Sequence, residues 1–323
     1  MPAKAVGLAL LLAILAAGCW DVRDIEDYGF ILGMGIDASP EARQELRFTF
    51  EVVMPAQAAT GGGQSGAAAG QQLSPFWNMV VKEKTMGKAL DVAASRMYQR
   101  PSLEHLRVVV LGEDVGRRGL SDVLDFLLRC GEVRRRVAVY VVSGEAEKAL
   151  SVKPRVDPVN AVYLANLQNN DRESSSIPQR MDLGQVSRSI HEDRPFIVPR
   201  LVPGKEDVII SGGAVFKKAR LVGWVTPVEV EGIRWITGRI PGGRVAGEVG
   251  GKSITYHIMQ SKSSIKPRVQ DGRLSLQVEI ESEGMLAEKE SQASALSPTF
   301  VDQCELAIAR QIEGSAAGAI KKL

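Results

Sequence analysis

Apolar positions recur along this chain with two different periods, and the switches between them divide it into elements. Tyr28 to Ile36 and Leu46 to Met54 have the residues of strands, and the polar segment Asp37 to Glu45 with Pro40 lies between them, so a hairpin is predicted. Pro55 to Leu73 is an Ala, Gly and Gln tract too poor in large apolar groups to pack, and reads as a surface loop. Trp77 to Glu83 predicts a third strand. Thr85 then caps a helix in which Leu90, Ala93, Ala94 and Met97 recur at helical spacing. Leu106 to Leu111 is a continuous apolar run of the kind found in a sheet covered on both faces. Leu120, Val123, Leu124, Leu127 and Leu128 mark one face of an amphipathic helix. Val137 to Val142 repeats the strand signal and Glu145 to Leu150 the helix signal. Strand, helix, strand, helix after a hairpin is the order of a mixed α/β domain.

The second half opens with Asp157-Pro158, an N-cap followed by proline at the first helical position, which predicts a helix through about Gln168. Asn169 to Gln179 reads as a polar loop, Leu183 to His191 as a helix, and the proline-punctuated run Phe196 to Val202 as an extended connector. Composition changes near Val208. Val208 to Ile210, Gly213 to Phe216 and Leu221 to Trp224 are strand-like, and Thr226-Pro227 opens a short helix with Val230, Ile233 and Trp235. Val245 to Val249, Ser253 to Gln260, and Ile265 to Val269 paired with Leu274 to Ile280 about Gln270-Asp271-Gly272 form a β meander. Ser297-Pro298 caps a closing helix whose apolar face is Phe300, Val301, Cys304, Ala307, Ile308 and Ile312. The fold class expected is α+β: an N-terminal mixed-sheet domain, then a C-terminal antiparallel sheet plus long helix.

The chain begins differently. A single early charge, Lys4, precedes an uninterrupted run of apolar and small residues from Ala5 to Gly18, the layout of a secretory signal peptide over residues 1–18 and too short for a transmembrane helix. Leu15-Ala16-Ala17-Gly18-Cys19 resembles a bacterial lipobox, in which the cysteine thiol is acylated and becomes the mature N-terminus. At about 0.8 kcal/mol per buried methylene, a two-chain lipid on Cys19 holds a protein firmly on a bilayer. An ordinary leader cut near Ala17 is the alternative, leaving a plain thiol.

Composition narrows the function classes. With 45% hydrophobic and 24% charged residues over 323, the chain is globular and long enough for two or three domains. A net charge of +2 gives no strong pull on nucleic acid. Once Cys19 is assigned to lipid, Cys130 and Cys304 remain, far apart in sequence and read as buried free thiols rather than a disulfide framework.

Candidate chemistry is sparse. Gly33-Met34-Gly35-Ile36-Asp37-Ala38 satisfies a dinucleotide fingerprint, but Ser39-Pro40 and a polar turn follow where a helix must begin, so nucleotide binding is rejected. His105, His191 and His257 fall in separate segments with no second ligand at metal spacing. Asp24, Glu26 and Asp27 read as a solvated tether rather than a calcium loop. No nucleophile elbow, P-loop or activated cysteine is visible. Arg134-Arg135-Arg136 is read as a solvated turn, with contact to anionic lipid as the sharper alternative. Trp224 and Trp235 are expected to serve the core, an exposed one marking a partner surface. Residues alone thus give an anchored extracytoplasmic binding or assembly module, with no cofactor implied.

Three blocks in order behind the lipobox resemble the Ger(x)C family, the lipoprotein C-subunits of nutrient germinant receptors in endospore-forming bacteria. They are Gly18-Cys19-Trp20-Asp21 with Asp24-Ile25-Glu26 and Gly33 to Asp37; Leu106 to Gly112 with Leu124 to Arg129 and Glu132-Val133-Arg134; and Gly212 to Lys217 with Leu221 to Trp224 and Glu229 to Trp235. The resemblance implies a non-enzymatic subunit attached through lipidated Cys19 to the outer face of the spore's inner membrane. Its implied partners are an integral membrane A-subunit and a transporter-like B-subunit thought to bind the nutrient; direct small-molecule binding by this chain is disfavoured. It also implies three domains, mapped to 19–153, 154–205 (helical and linker) and 206–323. The family pattern continues past the long helix into a glycine-rich turn, tryptophans and final strands, so the 206–323 domain is expected to be truncated and to expose a sheet edge. The competing reading is an extracytoplasmic solute-binding lipoprotein, which calls for a ligand pocket between two similar α/β lobes. An envelope enzyme, the third class, calls for a cleft of groups with perturbed pKa values.

Overall fold

A computed structural model describes residues 24–42, 44–53, 74–270, 273–290, 292 and 294–322. Cys19, the whole Ala/Gly/Gln tract and the turn residues Asp271 and Gly272 lie outside them.

A short 3-10 turn, Ile25–Asp27, leads into β1 (Tyr28–Ala38), which pairs antiparallel with β2 (Leu46–Val53), itself antiparallel to β3 (Phe76–Glu83). Helix α1 (Met86–Arg96) follows, with Thr85 Oγ1 accepting from Lys88 N as predicted for its cap. Next come β4 (Arg100–Ser102), β5 (Val108–Gly112), α2 (Glu113–Arg118), α3 (Ser121–Arg129), β6 (Ala138–Val142), α4 (Ala146–Leu150), α5 (Asn160–Leu167) and α6 (Leu183–His191). Strand β7 (Phe196–Pro203) is followed by β8 (Val208–Lys217) and β9 (Arg220–Val225). These strands form one sheet in the order β3-β2-β1-β5-β6-β7-β8-β9, with β4 pairing to the start of β1. The four central strands β1, β5, β6 and β7 run parallel, and antiparallel strands extend the sheet on both sides.

The continuous apolar runs are buried on both faces. Val109, Leu111, Val139 and Val141 face the core shared with α1, α2, α3 and α6, whereas Val108, Val110, Ala138, Tyr140 and Val142 face α4 and α5. That alternation is the strand period of two, with both faces apolar because helices cover both.

Four elements depart from the sequence reading. Phe196 to Val202 is a strand rather than a connector, because Val198 and Leu201 are fully buried and bind it between β6 and β8. Pro199 is tolerated there because the register shifts between Pro199 and Leu201, the kind of irregularity that accommodates a missing N–H. The strands from Val208 to Val225 join this first sheet, so the sheet runs past the boundary expected at 205/206. Asp157 does not cap α5: its Oδ1 accepts from Val159 N at 2.9 Å, a local turn, and the helix starts at Asn160. Elements β4, of three residues, and α2, which carries four charged residues out of six, have no counterpart in the sequence reading.

The C-terminal unit starts at α7 (Pro227–Ile236), closed at its N-terminus by a capping box of Thr226 and Glu229. Strand β10 (Gly243–Val249) and the long hairpin β11 (Lys252–Gln270) and β12 (Arg273–Lys289) form an antiparallel sheet of order β10-β11-β12. The two strand segments expected at Ser253 to Gln260 and Ile265 to Val269 are thus one strand. Helix α8 (Pro298–Lys322) packs on the sheet through Phe300, Cys304, Ile308 and Ile312, against Trp235, Val245, Ile254 and Ile258. Val301, expected on that apolar face, is largely exposed. The two helices cross closely at Gly232, where a Cβ would lie 2.1 Å from the Ser315 carbonyl oxygen.

Gly232→Val is expected to destabilise the chain by about 2 kcal/mol or more through this clash. Gly314→Ala, on the open side of α8 with nothing within 4 Å of the added carbon, is expected to stabilise it by about 0.5 to 1 kcal/mol. Denaturant unfolding of both variants checks the pair.

Candidate functional site

Gly33 and Gly35, the glycines of the rejected nucleotide fingerprint, clear space for helices. A Cβ on Gly33 would meet Ala161 at 3.1 Å and Leu150 at 3.2 Å, and one on Gly35 would meet Leu150 at 3.0 Å and Ala146 at 3.3 Å. Helices α4 and α5 therefore rest directly on β1. Neither has a side-chain cap from its own N-cap residue, Glu145 or Val159. The caps come from the sheet below: the Asp37 carboxylate accepts from Ala146 N at 2.6 Å and Glu147 N at 3.1 Å, and Glu51 Oε1 accepts from Ala161 N at 2.8 Å. Helix N-termini carry unsatisfied N–H groups and a positive dipole end, so carboxylates suit them.

The two acids differ electrostatically. Burial raises the pKa of Asp37, while the amides of Ala146 and Glu147 and nearby Arg47 oppose the rise. Arg47 bonds Glu145 at 2.7 Å and lies 3.6 Å from Asp37. Glu51 has no such cation. Burial pushes it up to about 8, opposed by the Ala161 amide and reinforced by Asp157. Its Oε2 has no hydrogen-bond partner, nor have Asn160 Oδ1 and Thr49 Oγ1 nearby in the same layer. Glu51 thus holds a proton at neutral pH.

Concavities open at several places on the molecule. One of 380 Å³ opens at the C-terminal ends of β1, β5 and β6, lined by Asp37, Ser39, Asp114, Arg118 and Glu145, the place where open α/β sheets commonly bind ligands. A larger groove of 700 Å³ lies between β12 and α8; Ile280, Leu286, Phe300 and Ile308 give it an apolar floor, and exposed Glu283, Glu305 and Glu313 line it too. The third, of 310 Å³, lies beside the starts of β5 and β6 and is lined by Arg107, Arg134, Arg136 and Arg180 with His105 and Glu104.

A fourth feature joins the two units. Arg234 of α7 is buried, and its guanidinium donates to the carbonyl oxygens of Asp171 (2.8 Å), Ser174 (2.9 Å), Ser175 (3.5 Å), Ile177 and Arg239 (3.0 Å). Burial lowers its pKa, and Asp171 and Glu231 oppose that. Five fixed donors in a planar fork make arginine the residue suited to such a nest of carbonyls.

The residues singled out from sequence fall apart in space. Asp24, Glu26 and Asp27 are exposed on and beside the 3-10 turn. His105 stacks edge-on against Phe30 at 4.8 Å, and no cluster of three or more His, Cys, Asp or Glu at metal distance exists among the described residues. Cys130 ends α3 and Cys304 lies in α8; both are free, in different cores. Trp235 is buried, while Trp224 is half-buried, with Arg200 over its ring at 5.6 Å. Sequence reading missed Glu51, Arg234 and the capping role of Asp37. The alternation in β2 pointed to Glu51, since Phe48, Phe50 and Val52 occupy one face and leave a glutamate in the middle of the other.

Two family models match the chain in order. One, described as the N-terminal domain of spore germination proteins, matches residues 21–203, and the other, described as spore germination B3/GerAC-like, C-terminal, matches residues 211–323. Among curated proteins, the chain is 30% identical to spore germination protein YndF of Bacillus subtilis (strain 168), over 99% of this chain and 84% of that protein. It is 24% identical to spore germination protein B3 of the same organism, over 97% of this chain and 82% of that protein. Among solved structures, the crystal structure of the GerBC protein matches with a TM-score of 0.51 at 18% identity, covering 91% of this chain and 83% of that one, a likeness of fold.

Two predictions rest on the buried polar groups. Between pH 4.5 and about 8 an unfolded Glu51 ionises while the folded one keeps its proton, so stability falls as pH rises through that window. The slope is up to about 1.4 kcal/mol per pH unit. Glu51→Gln removes it, so the variant should gain on the wild type by a few kcal/mol between pH 5 and 8 in urea unfolding followed at each pH. Arg234→Ala leaves up to five carbonyls short of a donor, and is expected to cost about 3 kcal/mol and to expose residues 171–177 to limited proteolysis.

Proposed function

The chain belongs to the GerAC-like family of spore germination proteins, and from that premise we propose that it is a non-enzymatic, lipid-anchored subunit of a nutrient germinant receptor. In this reading, Cys19 holds the chain on the outer face of the spore's inner membrane, and the folded part assembles with integral membrane A- and B-subunits. The observation that carries the reading is the ordered match of both family models over residues 21–203 and 211–323.

Several features support it. The interior acids that a catalytic centre would use are engaged as helix caps, Asp37 and Glu51 each bonded to helix N–H groups. The solute-binding alternative calls for two similar α/β lobes about a ligand, whereas the two sheets here are unlike, one large and mixed and the other three-stranded and antiparallel. The apolar groove beside edge strand β12, lined in part by acidic side chains, is the kind of surface that a partner subunit buries.

The test is germination of spores given nutrient, followed as a fall in optical density, in a strain lacking this gene and carrying either the wild-type chain or Cys19→Ala. Restoration by the wild type and a loss of tenfold or more in rate with Cys19→Ala is the result expected, together with a shift of the variant out of the membrane fraction. A normal response to every nutrient without the gene overturns the receptor reading.

A further inference from the structure

Because β1, β5 and β6 run parallel, their N-terminal ends lie at one edge of the sheet. Arg107 precedes β5 and Arg134 to Arg136 precede β6, so the register that pairs Val108 with Ala138 brings the two basic turns together. The chain after α5 adds Arg180, whose Nη1 donates to Asn169 Oδ1 at 3.3 Å and whose backbone N–H donates to Asp171 Oδ2 at 3.1 Å. Arg107, Arg134, Arg136 and Arg180 line the 310 Å³ pocket, together with one carboxylate, Glu104.

The pocket is built on fixed backbone. Arg107 N donates to Leu32 O at 2.8 Å, Ala138 N to Arg107 O at 2.9 Å, and Gly184 N to Arg135 O at 2.9 Å. Its side chains are uncommitted by contrast: Arg107, Arg134 and Arg136 are exposed and form no ion pair with any described residue. Elsewhere in the chain, Arg47, Arg117 and Arg129 are paired with carboxylates. Several guanidinium groups around one small cavity repel one another, and a bidentate oxyanion relieves that repulsion.

The same edge is where the tether enters. Tyr28 begins β1 at this end, next to Arg100 of β4. Cys19 is nine residues upstream of Tyr28 in sequence, a reach of at most about 30 Å. An anchored chain therefore keeps its arginine-lined edge within reach of the bilayer.

We infer that this pocket binds the phosphate of an anionic lipid headgroup, so that the subunit lies on the membrane in a fixed orientation rather than swinging on its tether. The orientation rests on the anchored-subunit reading; the anion chemistry rests on the pocket alone. The triplet Arg134 to Arg136 is then a lipid contact, completed by Arg107 and Arg180 from distant positions in the sequence.

The test uses a chain from Trp20 to Leu323, which contains every element described above and has no site for an acyl chain, so that failure of the lipid anchor leaves the result unaffected. Its flotation with vesicles of phosphatidylcholine, with and without phosphatidylglycerol, is compared with that of the Arg134→Gln/Arg136→Gln variant. Binding only to vesicles with phosphatidylglycerol, weakened by added salt and reduced on the order of tenfold in the variant, is the result expected. A thermal unfolding midpoint equal to that of the wild type establishes that the exposed substitutions leave the fold intact. Calorimetric titration with inorganic phosphate separates the sources: binding of free phosphate without binding of vesicles overturns the lipid assignment. Equal vesicle binding by both chains, or binding of neither vesicles nor phosphate by the wild type, overturns the inference altogether.

Discussion

The architecture depends on acidic side chains of the sheet serving as caps for helices far away in sequence. Helices α4 and α5 are short, of 5 and 8 residues, and neither has a capping side chain of its own. Helices of that length are unstable in isolation, so their position comes from the sheet beneath. Asp37 and Glu51, on neighbouring strands of the β1–β2 hairpin, reach across more than a hundred residues to the first N–H groups of these helices. The glycines between them let the helices come close enough for the bonds to form. Sheet, glycine and acidic side chain thus act as one device, which ties the start of the chain to its middle.

The second tie is of opposite charge and at the other end of a helix. Arg234 sits in the last turns of α7 and gathers carbonyls from residues 171–177. A cation there answers both the negative end of the helix dipole and the unsatisfied carbonyls of an irregular segment. Together with β8 and β9, which extend the first sheet right up to α7, it ties the two units by hydrogen bonds.

Much of this fold was legible in the sequence, for physical reasons. The paired faces of β5 and β6 appear as unbroken apolar runs because helices cover both sides, and the cap residues Thr85 and Thr226 stand immediately before the helices they close. Strand β7 was illegible because its proline mimics a connector until the register shift is known. The join of Val208 to Val225 to the first sheet was hidden because the residues change character there while the hydrogen bonding does not. The helix-capping acids were illegible for a different reason. Strand alternation places Glu51 on the face opposite the phenylalanines, which ordinarily faces water, and nothing local announces that α5 covers it. The arginine pocket was half legible, as a basic triplet whose remaining members only the parallel register supplies.

The long β11–β12 hairpin behaves differently from the rest. Its base is packed, with Ile254 and Ile258 in the core and Ser261 and Ser263 bonded to the carbonyls of Ile240 and Ile236. Beyond Ser263 it is a two-stranded ribbon with Ile265, Val269, Leu274 and Leu276 exposed, and it extends about 20 Å at the usual strand rise. A two-stranded ribbon without a covering layer is only marginally stable. The ribbon therefore breathes as a cooperative unit of its own, exchanging its amide protons through openings that cost far less than unfolding either core. A layer laid over the ribbon slows that exchange, which makes its amide protons a local gauge of whether the ribbon is covered.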